Sequence, residues 1–288
     1  MNTFCLFFLP LTWALAEKTK AIAPFEMNSV VNKKAFFTGL AANGNETIAT
    51  IPRENPPFRD ILSGRGYSAE PVGMNARELL FVSQDKAYMS EDGSDTLVEY
   101  NLQGSLFKPT VVISGEKIFD IALADDKRLF VSTLTGSHVK GIKSTISEYK
   151  DGALTKLHEV DGHLNSITVS HDNKKIYGIF SSFTNGYYKG LIEISLDDKE
   201  KSPKVLAKND NVSLGRPIVK CDKQGNIYVH WGESTIDVYN PQGKLYSITS
   251  GLNIESMAIS NSQPQYLYVG GENFTSEERN HAVGRVEL

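Results

Sequence analysis

The stretch Leu214–Gly251 constrains the fold more than any other part of this chain, because it packs four strand signals and three tight turns into fewer than forty residues. An apolar run at Pro217–Cys221 is followed by the turn Asp222-Lys223-Gln224-Gly225-Asn226, then Ile227–His230, Ile236–Tyr239, Asn240-Pro241-Gln242-Gly243 and Lys244–Ile248. β-Branched and aromatic runs bordered by Gly, Asn, Asp and Pro are the pattern of an up-and-down antiparallel sheet. One such sheet cannot bury both of its faces, so it predicts copies of itself.

The copies are present at a spacing of about 45 residues, the period of propeller blades. Glu255–Ile259 with Tyr266–Val269 repeats the inner pair of runs, and Val283–Leu288 supplies a third strand. Asn165–Val169, Ile176–Ile179, Gly190–Leu196 and Lys204–Ala207 form another unit, as do Asp120–Leu123, Leu129–Ser132, Thr145–Tyr149 and Leu154–Val160. A fifth is read from Leu79–Val82, Thr96–Asn101 and Val111–Ile113, and a sixth, the most irregular, from Ala35–Leu40, Glu46–Ile51 and Phe58–Leu62. No helix-period segment competes with them. The expected fold class is all-β, a six-bladed β-propeller of four-stranded antiparallel sheets, since a closed ring buries both faces of every blade. Lys20–Pro24 is assigned the missing outer strand of the last blade, a disordered tail being the alternative.

Met1–Ala16, MNTFCLFFLPLTWALA, is an apolar run ending in Ala14-Leu15-Ala16 ahead of Glu17-Lys18-Thr19-Lys20. It reads as a secretory signal with a small-residue cleavage site. The rival, a membrane anchor, needs about 20 apolar residues, and Pro10 interrupts this shorter run. The expected organisation is a leader at 1–16 and a single propeller domain at 17–288, secreted, or periplasmic in a bacterium, with no membrane association once the leader is gone. A net charge of -4 offers no basic field for nucleic acid, and hydrophobic content of 40% is enough for a core. Cys5 leaves with the leader and Cys221 lies in an apolar strand, so the mature chain forms no internal disulfide. A monomer is expected.

Three segments, Gly215-Arg216-Pro217 with Asp222–Val229, Val238–Lys244, and Asn165–Tyr177, resemble the SMP-30/gluconolactonase-like six-bladed propellers. The resemblance covers about Phe119 to Val269. It implies hydrolysis of lactones or related esters with one divalent cation, calcium first, held at the mouth of the central channel by an early Glu, by Asn residues opening inner strands, and by an Asp opening a later one. Calcium takes six to eight oxygen ligands and polarises the carbonyl it touches. Lining up the starts of the inner strands gives Glu26, Glu70, Phe119, Asn165, Pro217 and Glu255. Glu26, Glu70, Asn165 and Glu255 are therefore the candidate metal ligands. Pro217 stands where the family pattern has its acid, and no shift of alignment restores a carboxylate there. Each Glu has a plain alternative as a water-facing loop residue, and Asn165 as a turn amide satisfied by backbone.

His163 lies two residues before Asn165 and is a candidate binding residue at the same mouth, or else a solvated turn histidine. The six histidines have no metal-binding spacing, and no nucleophile elbow, P-loop or dinucleotide fingerprint is present. The segments Ser181–Lys189 and Thr133–Lys143 read as loops longer than a hairpin needs, with Phe183, Tyr187 and Tyr188 as binding anchors or as packing over a blade edge. Asn45, Asn211 and Asn273 open glycosylation sequons. The function expected is binding of a small molecule, glycan or protein at the channel mouth and loops without turnover. Calcium-dependent lactone or ester hydrolysis is the alternative.

Overall fold

The computed structural model describes residues 19–21, 23–25, 39–43, 46–50, 58–60, 66–69 and 76–288, except 84, 92–94, 102, 104–105, 138–140, 183–187, 199–200, 211–214 and 274–279. Its strands in chain order are β1 (Thr19–Ala21), β2 (Ala23–Phe25), β3 (Gly39–Asn43), β4 (Glu46–Thr50), β5 (Phe58–Asp60), β6 (Gly66–Ala69), β7 (Ala76–Ser83), β8 (Lys86–Glu91), β9 (Thr96–Asn101) and β10 (Leu106–Ser114). There follow β11 (Ile118–Leu123), β12 (Leu129–Ser137), β13 (Gly141–Lys150), β14 (Ala153–Asp161), β15 (His163–Val169), β16 (Lys175–Ser182), β17 (Tyr188–Ser195) and β18 (Lys204–Asn209). The last are β19 (Ile218–Cys221), β20 (Ile227–His230), β21 (Thr235–Asn240), β22 (Gly243–Thr249), β23 (Leu252–Ile259), β24 (Tyr266–Asn273) and β25 (Asn280–Glu287).

The fold is an all-β propeller of four-stranded antiparallel sheets, and it corrects the expected count. Among the described residues there are five sheets, not six. The quartets β3–β6 and β7–β10 join edge to edge, because their outer strands β6 and β10 run parallel and pair at Ser68↔Leu106 and Ala69↔Phe107. An exposed strand edge is satisfied by any neighbour that presents free backbone groups, and here two outer edges satisfy each other. The other sheets are β11–β14, β15–β18, β19–β22 with β1 added to its outer edge, and β23–β25 with β2 as its outer strand. Strand β1 runs parallel to β22, and β2 antiparallel to β25. The Thr133–Lys143 loop expectation is also corrected. Strands β12 and β13 stay paired out to Ser137↔Gly141, so most of that segment is hairpin.

The core lies between sheets, and strand alternation explains it. In β16, Ile176 and Phe180 face the β11–β14 sheet and pack with Phe130 and Ile146, while Tyr177 and Ile179 face the other way onto Val229, Trp231 and Tyr239. The next seam holds Tyr228, Ile236 and Val238 against Met257, Leu267 and Val269, and the seam before them holds Leu97 and Ile113 against Ile121 and Val131. The second strands β16 and β20 are thus buried on both faces, which is why runs such as Ile227–Val229 show no polar side.

Two repeated devices position the inner strands. The first is a turn at their far end, where backbone bonds Ala124 N to Arg128 O, Ser170 N to Lys175 O and Asp222 N to Asn226 O close the same kind of hairpin. Its left-handed residue is Lys127, Asn173 or Gly225, with φ of 72°, 58° and 84°. Asp222 reinforces the third of these by accepting from Asn226 N at 2.8 Å and from Tyr228 Oη at 2.9 Å. The second device is a one-residue bulge near the start of four inner strands, which skips Arg77, Phe119, Asn165 and Glu255 in the pairings of β7, β11, β15 and β23. A bulge turns the next side chain along the strand edge. Asp120 then accepts from Ile167 N at 2.7 Å and Ser166 accepts from Val219 N at 3.2 Å, so the residue after the bulge satisfies an inner-edge amide of the neighbouring sheet.

Candidate functional site

The inner strands β3, β7, β11, β15, β19 and β23 lie side by side in that order, with β23 returning to β3, around the central axis. Their starts and their far ends differ. At the starting end, Phe119 meets the His163 ring edge-on, with centroids 4.2 Å apart. Asn165 is buried, and its amide nitrogen donates to Ser181 Oγ at 2.8 Å and to His163 O at 3.1 Å. Pro217 is buried just before β19, and Glu255 is half-buried at the β23 bulge. Lys189, buried from β17, donates to Trp231 O at 2.5 Å and Gly215 O at 3.3 Å, and burial pulls its ammonium below the usual lysine range.

The structure therefore brings Phe119, Asn165 and Glu255 to one equivalent register position, as lining up the strand starts expects. In the preceding quartet that position is Arg77, not Glu70, because β7 opens only at Ala76. Glu26, Glu70, Phe183 and Tyr187 lie outside the described residues, as do Asn45 and Asn211. Tyr188 opens β17 and Asn273 closes β24.

Calcium can be tested against this donor set. Phe119 and Pro217 offer no oxygen ligand, and the Asn165 nitrogen is a committed donor, which leaves the Asn165 amide oxygen and the Glu255 carboxylate. These are two of the four candidate ligands, Glu26 and Glu70 lying outside the described residues, and they supply part of the six to eight oxygens that calcium takes. Among the described residues no group of three or more His, Cys, Asp or Glu side chains is arranged to hold a metal ion.

The far ends of the inner strands instead line an open cavity of about 440 Å³. Leu80, Thr168 and Ala258 contribute to its wall, and Glu78 and Lys220 to its charged lining. Its rim is the ring of inner turns, tied from sheet to sheet. Lys127 Nζ reaches Val82 O at 3.2 Å, Arg128 reaches Asn173 O at 2.9 Å, and Lys223 Nζ reaches Asn261 O at 3.1 Å. Asp125 and His171 pair across the same rim.

Below the cavity four charged side chains from three inner strands meet on the axis. Lys220 Nζ donates to Glu78 Oε1 at 2.6 Å. One terminal nitrogen of Arg216 lies 3.7 Å from Glu78 Oε2 and 3.6 Å from Asp120 Oδ1. Glu78 and Asp120 are buried, with Asp120 0% exposed. Burial is the main influence on Glu78 and raises its carboxyl above the usual range, against the pull of Lys220. Sequence reading missed this cluster. The available signal was a charged residue at the same step of two otherwise apolar inner strands, Glu78 before Leu79–Val82 and Asp120 between Phe119 and Ile121, with Lys220 as the matching intrusion in β19.

No family model matches the sequence, and no curated protein matches it. Among solved structures, a luciferin-regenerating enzyme superposes with a TM-score of 0.69 at 15% identity, covering 92% of this chain and 96% of its own. A gluconolactonase from Xanthomonas campestris superposes with a TM-score of 0.60 at 13% identity, covering 89% of this chain and 88% of its own. At these identities the likeness is one of fold: this chain shares the propeller architecture of both solved structures.

Proposed function

We propose that this protein is a binding propeller that takes a small polar molecule into the cavity at the far ends of its inner strands and does not turn it over. The observation that carries the reading is the cavity itself, about 440 Å³ with a hydrogen-bonded Glu78–Lys220 pair in its lining. That volume falls in the range of small-molecule sites, and the polar groups that dominate its lining are what would orient a polar ligand. An adjacent acceptor and donor with no net charge suit a neutral or zwitterionic guest. Glycans or proteins are the other expected partners, through the loop that ends at Tyr188. The same proposal takes Met1–Ala16 as a removed leader, the mature protein as a secreted monomer, and Asn45, Asn211 and Asn273 as glycan acceptors.

The test is a thermal-shift screen of small polar molecules against the full mature chain and against Ala258→Phe, which places a ring in the cavity wall. Molecules that raise the midpoint of the parent chain and not of Ala258→Phe support the reading. A shift that persists in the variant, or none with any molecule, refutes it and moves the search to the loops.

The second reading is calcium-dependent hydrolysis of a lactone or related ester. It is favoured by the enzyme names of both compared structures and by the shared register of Asn165 and Glu255. Lactone loss that stops with chelator, and stops in Asn165→Ala, Glu255→Gln and Glu26→Gln, would support it. Loss equal with and without chelator would remove it.

A further inference from the structure

We infer that the axis of this propeller carries its counter-charge on the chain itself: Lys220 and Arg216 hold, as tethered cations, a site that Glu78 and Asp120 would otherwise offer to a divalent ion. The inference goes beyond the ligand reading above and does not depend on it. Two carboxylates come from neighbouring inner strands, β7 and β11, and the cations come from a third, Lys220 within β19 and Arg216 two residues before it. Side-chain exposure is 8% for Glu78, 0% for Asp120, 13% for Lys220 and 25% for Arg216, so the cluster is poorly screened and its charges must balance internally. They do, two against two.

The geometry separates the roles of the two cations. Lys220 makes a short charge-assisted hydrogen bond to Glu78. Arg216 does not fork onto either carboxylate. A single nitrogen stands between an oxygen of each, at 3.6 Å and 3.7 Å, beyond hydrogen-bond length. That nitrogen is a point charge between two converging carboxylates, the position a bound cation takes between two ligands. The second oxygen of Asp120 is occupied by Ile167 N and the second oxygen of Glu78 by Lys220, which keeps both carboxylates aimed at the shared centre. Removing the tethered charge would leave those oxygens facing one another, and a divalent ion is the partner of matching charge.

The experiment follows the thermal midpoint of the full mature chain in chelator and in calcium. The parent chain should melt at the same temperature in both. Lys220→Met should melt about 10 °C lower in chelator, since breaking one side of a buried pair strands the other, and calcium should restore part of the loss. Arg216→Met combined with Lys220→Met should show the larger calcium response. Glu78→Gln combined with Lys220→Met removes one charge of each sign, so it should regain most of the midpoint and lose the calcium response. If Lys220→Met alone does not fold, folding of that balanced double variant is the same result. The inference is overturned if calcium raises the midpoint of the parent chain and the rise vanishes in Glu78→Gln. It is also overturned if the balanced variant is no more stable than Lys220→Met and neither responds to calcium.

Discussion

The two ends of the inner strands are built from the same repeat and have opposite characters. At the start, bulges turn Phe119, Asn165 and Glu255 to one level, and the space is taken by the Phe119–His163 contact, a committed amide and the buried Lys189. At the far end, turns of five or six residues close the inner hairpins and polar side chains reach across from sheet to sheet around a cavity. A propeller has two mouths, and which one opens is decided by the size and charge of a few residues near each turn. Among the described residues, packed side chains lie at the end that strand starts point to, and the cavity lies at the other, beyond the ionic cluster.

The largest expected effect breaks the layer between those ends. Asp120→Ala removes a fully buried carboxylate that accepts from Ile167 N and faces Arg216, so an amide loses its acceptor and a cation one of its two carboxylates together. A cost of about 4 kcal/mol is expected in urea unfolding. Asn165→Ala, one strand over at the starting end, removes a neutral donor from Ser181 and His163 O and should cost about 1.5 kcal/mol. Equal losses at the two positions would mean that the ionic layer is no more important than the plug above it.

Acid should attack the starting end first. His230, buried at the end of β20 beside Thr235 O, is held down to about 4, mainly by burial and further by Lys189. Above the usual histidine value near pH 6.5 the folded and unfolded forms are both neutral, and the group contributes nothing. As pH falls below 6.5 the unfolded chain takes a proton that the native one refuses, and stability is lost until about pH 4, roughly 3 kcal/mol in all. Glu78 acts with the opposite sign, because its raised carboxyl favours the native state at low pH and loses that contribution as pH rises through its folded value. The difference between parent and His230→Gln unfolding curves cancels Glu78 and isolates the histidine. A pH-independent difference would show that His230 does not titrate in this window.

The fold was legible in the sequence wherever both faces of a strand are buried. From Asp120 to Val269 the apolar runs are strands at nearly the expected places, because a run such as Ile227–His230 has no other stable use. The quartets before Asp120 were harder. The runs there are shorter, β8 and β6 carry no strong apolar signal, and the pairing of β6 with β10 is a meeting of two edges that no local pattern encodes. The site was legible as a register and not as chemistry. Counting back from each second strand reaches the bulge at Phe119, Asn165 and Glu255, but the charged side chains sit one residue further along or, for Lys220, deeper. Their partners are up to 142 residues away, as in the Lys220–Glu78 bond, so the pairing exists only once the ring has closed.

Glycines sharpen the contrast of a tight end and an open one. A Cβ on Gly271, opposite Ile254 near the β23 bulge, would stand 2.0 Å from Asn253 O, so Gly271→Ala must move backbone and should cost about 3 kcal/mol. Gly225 sits in the rim turn at φ +84° with nothing within 4 Å of the added carbon. Gly225→Ala then carries only the left-handed penalty, about 1 kcal/mol. Thermal unfolding of the two variants, with Gly225→Asn as a control that tolerates the conformation, checks the order.

The smallest effect is expected on the rim itself, and it is the one that tells scaffold from site. Lys223 Nζ donates to Asn261 O across the seam between the last two sheets, but the bond is exposed and a long side chain must be ordered to make it. Lys223→Ala should change unfolding stability by no more than about 0.5 kcal/mol. Lys223 also lies on the lining of the cavity. The same substitution is therefore expected to change the affinity of a cavity ligand by more than it changes stability. A ligand bound equally well by the Lys223→Ala chain would place its entry or its contacts on the opposite side of the rim, toward Lys127 and the Asp125–His171 pair.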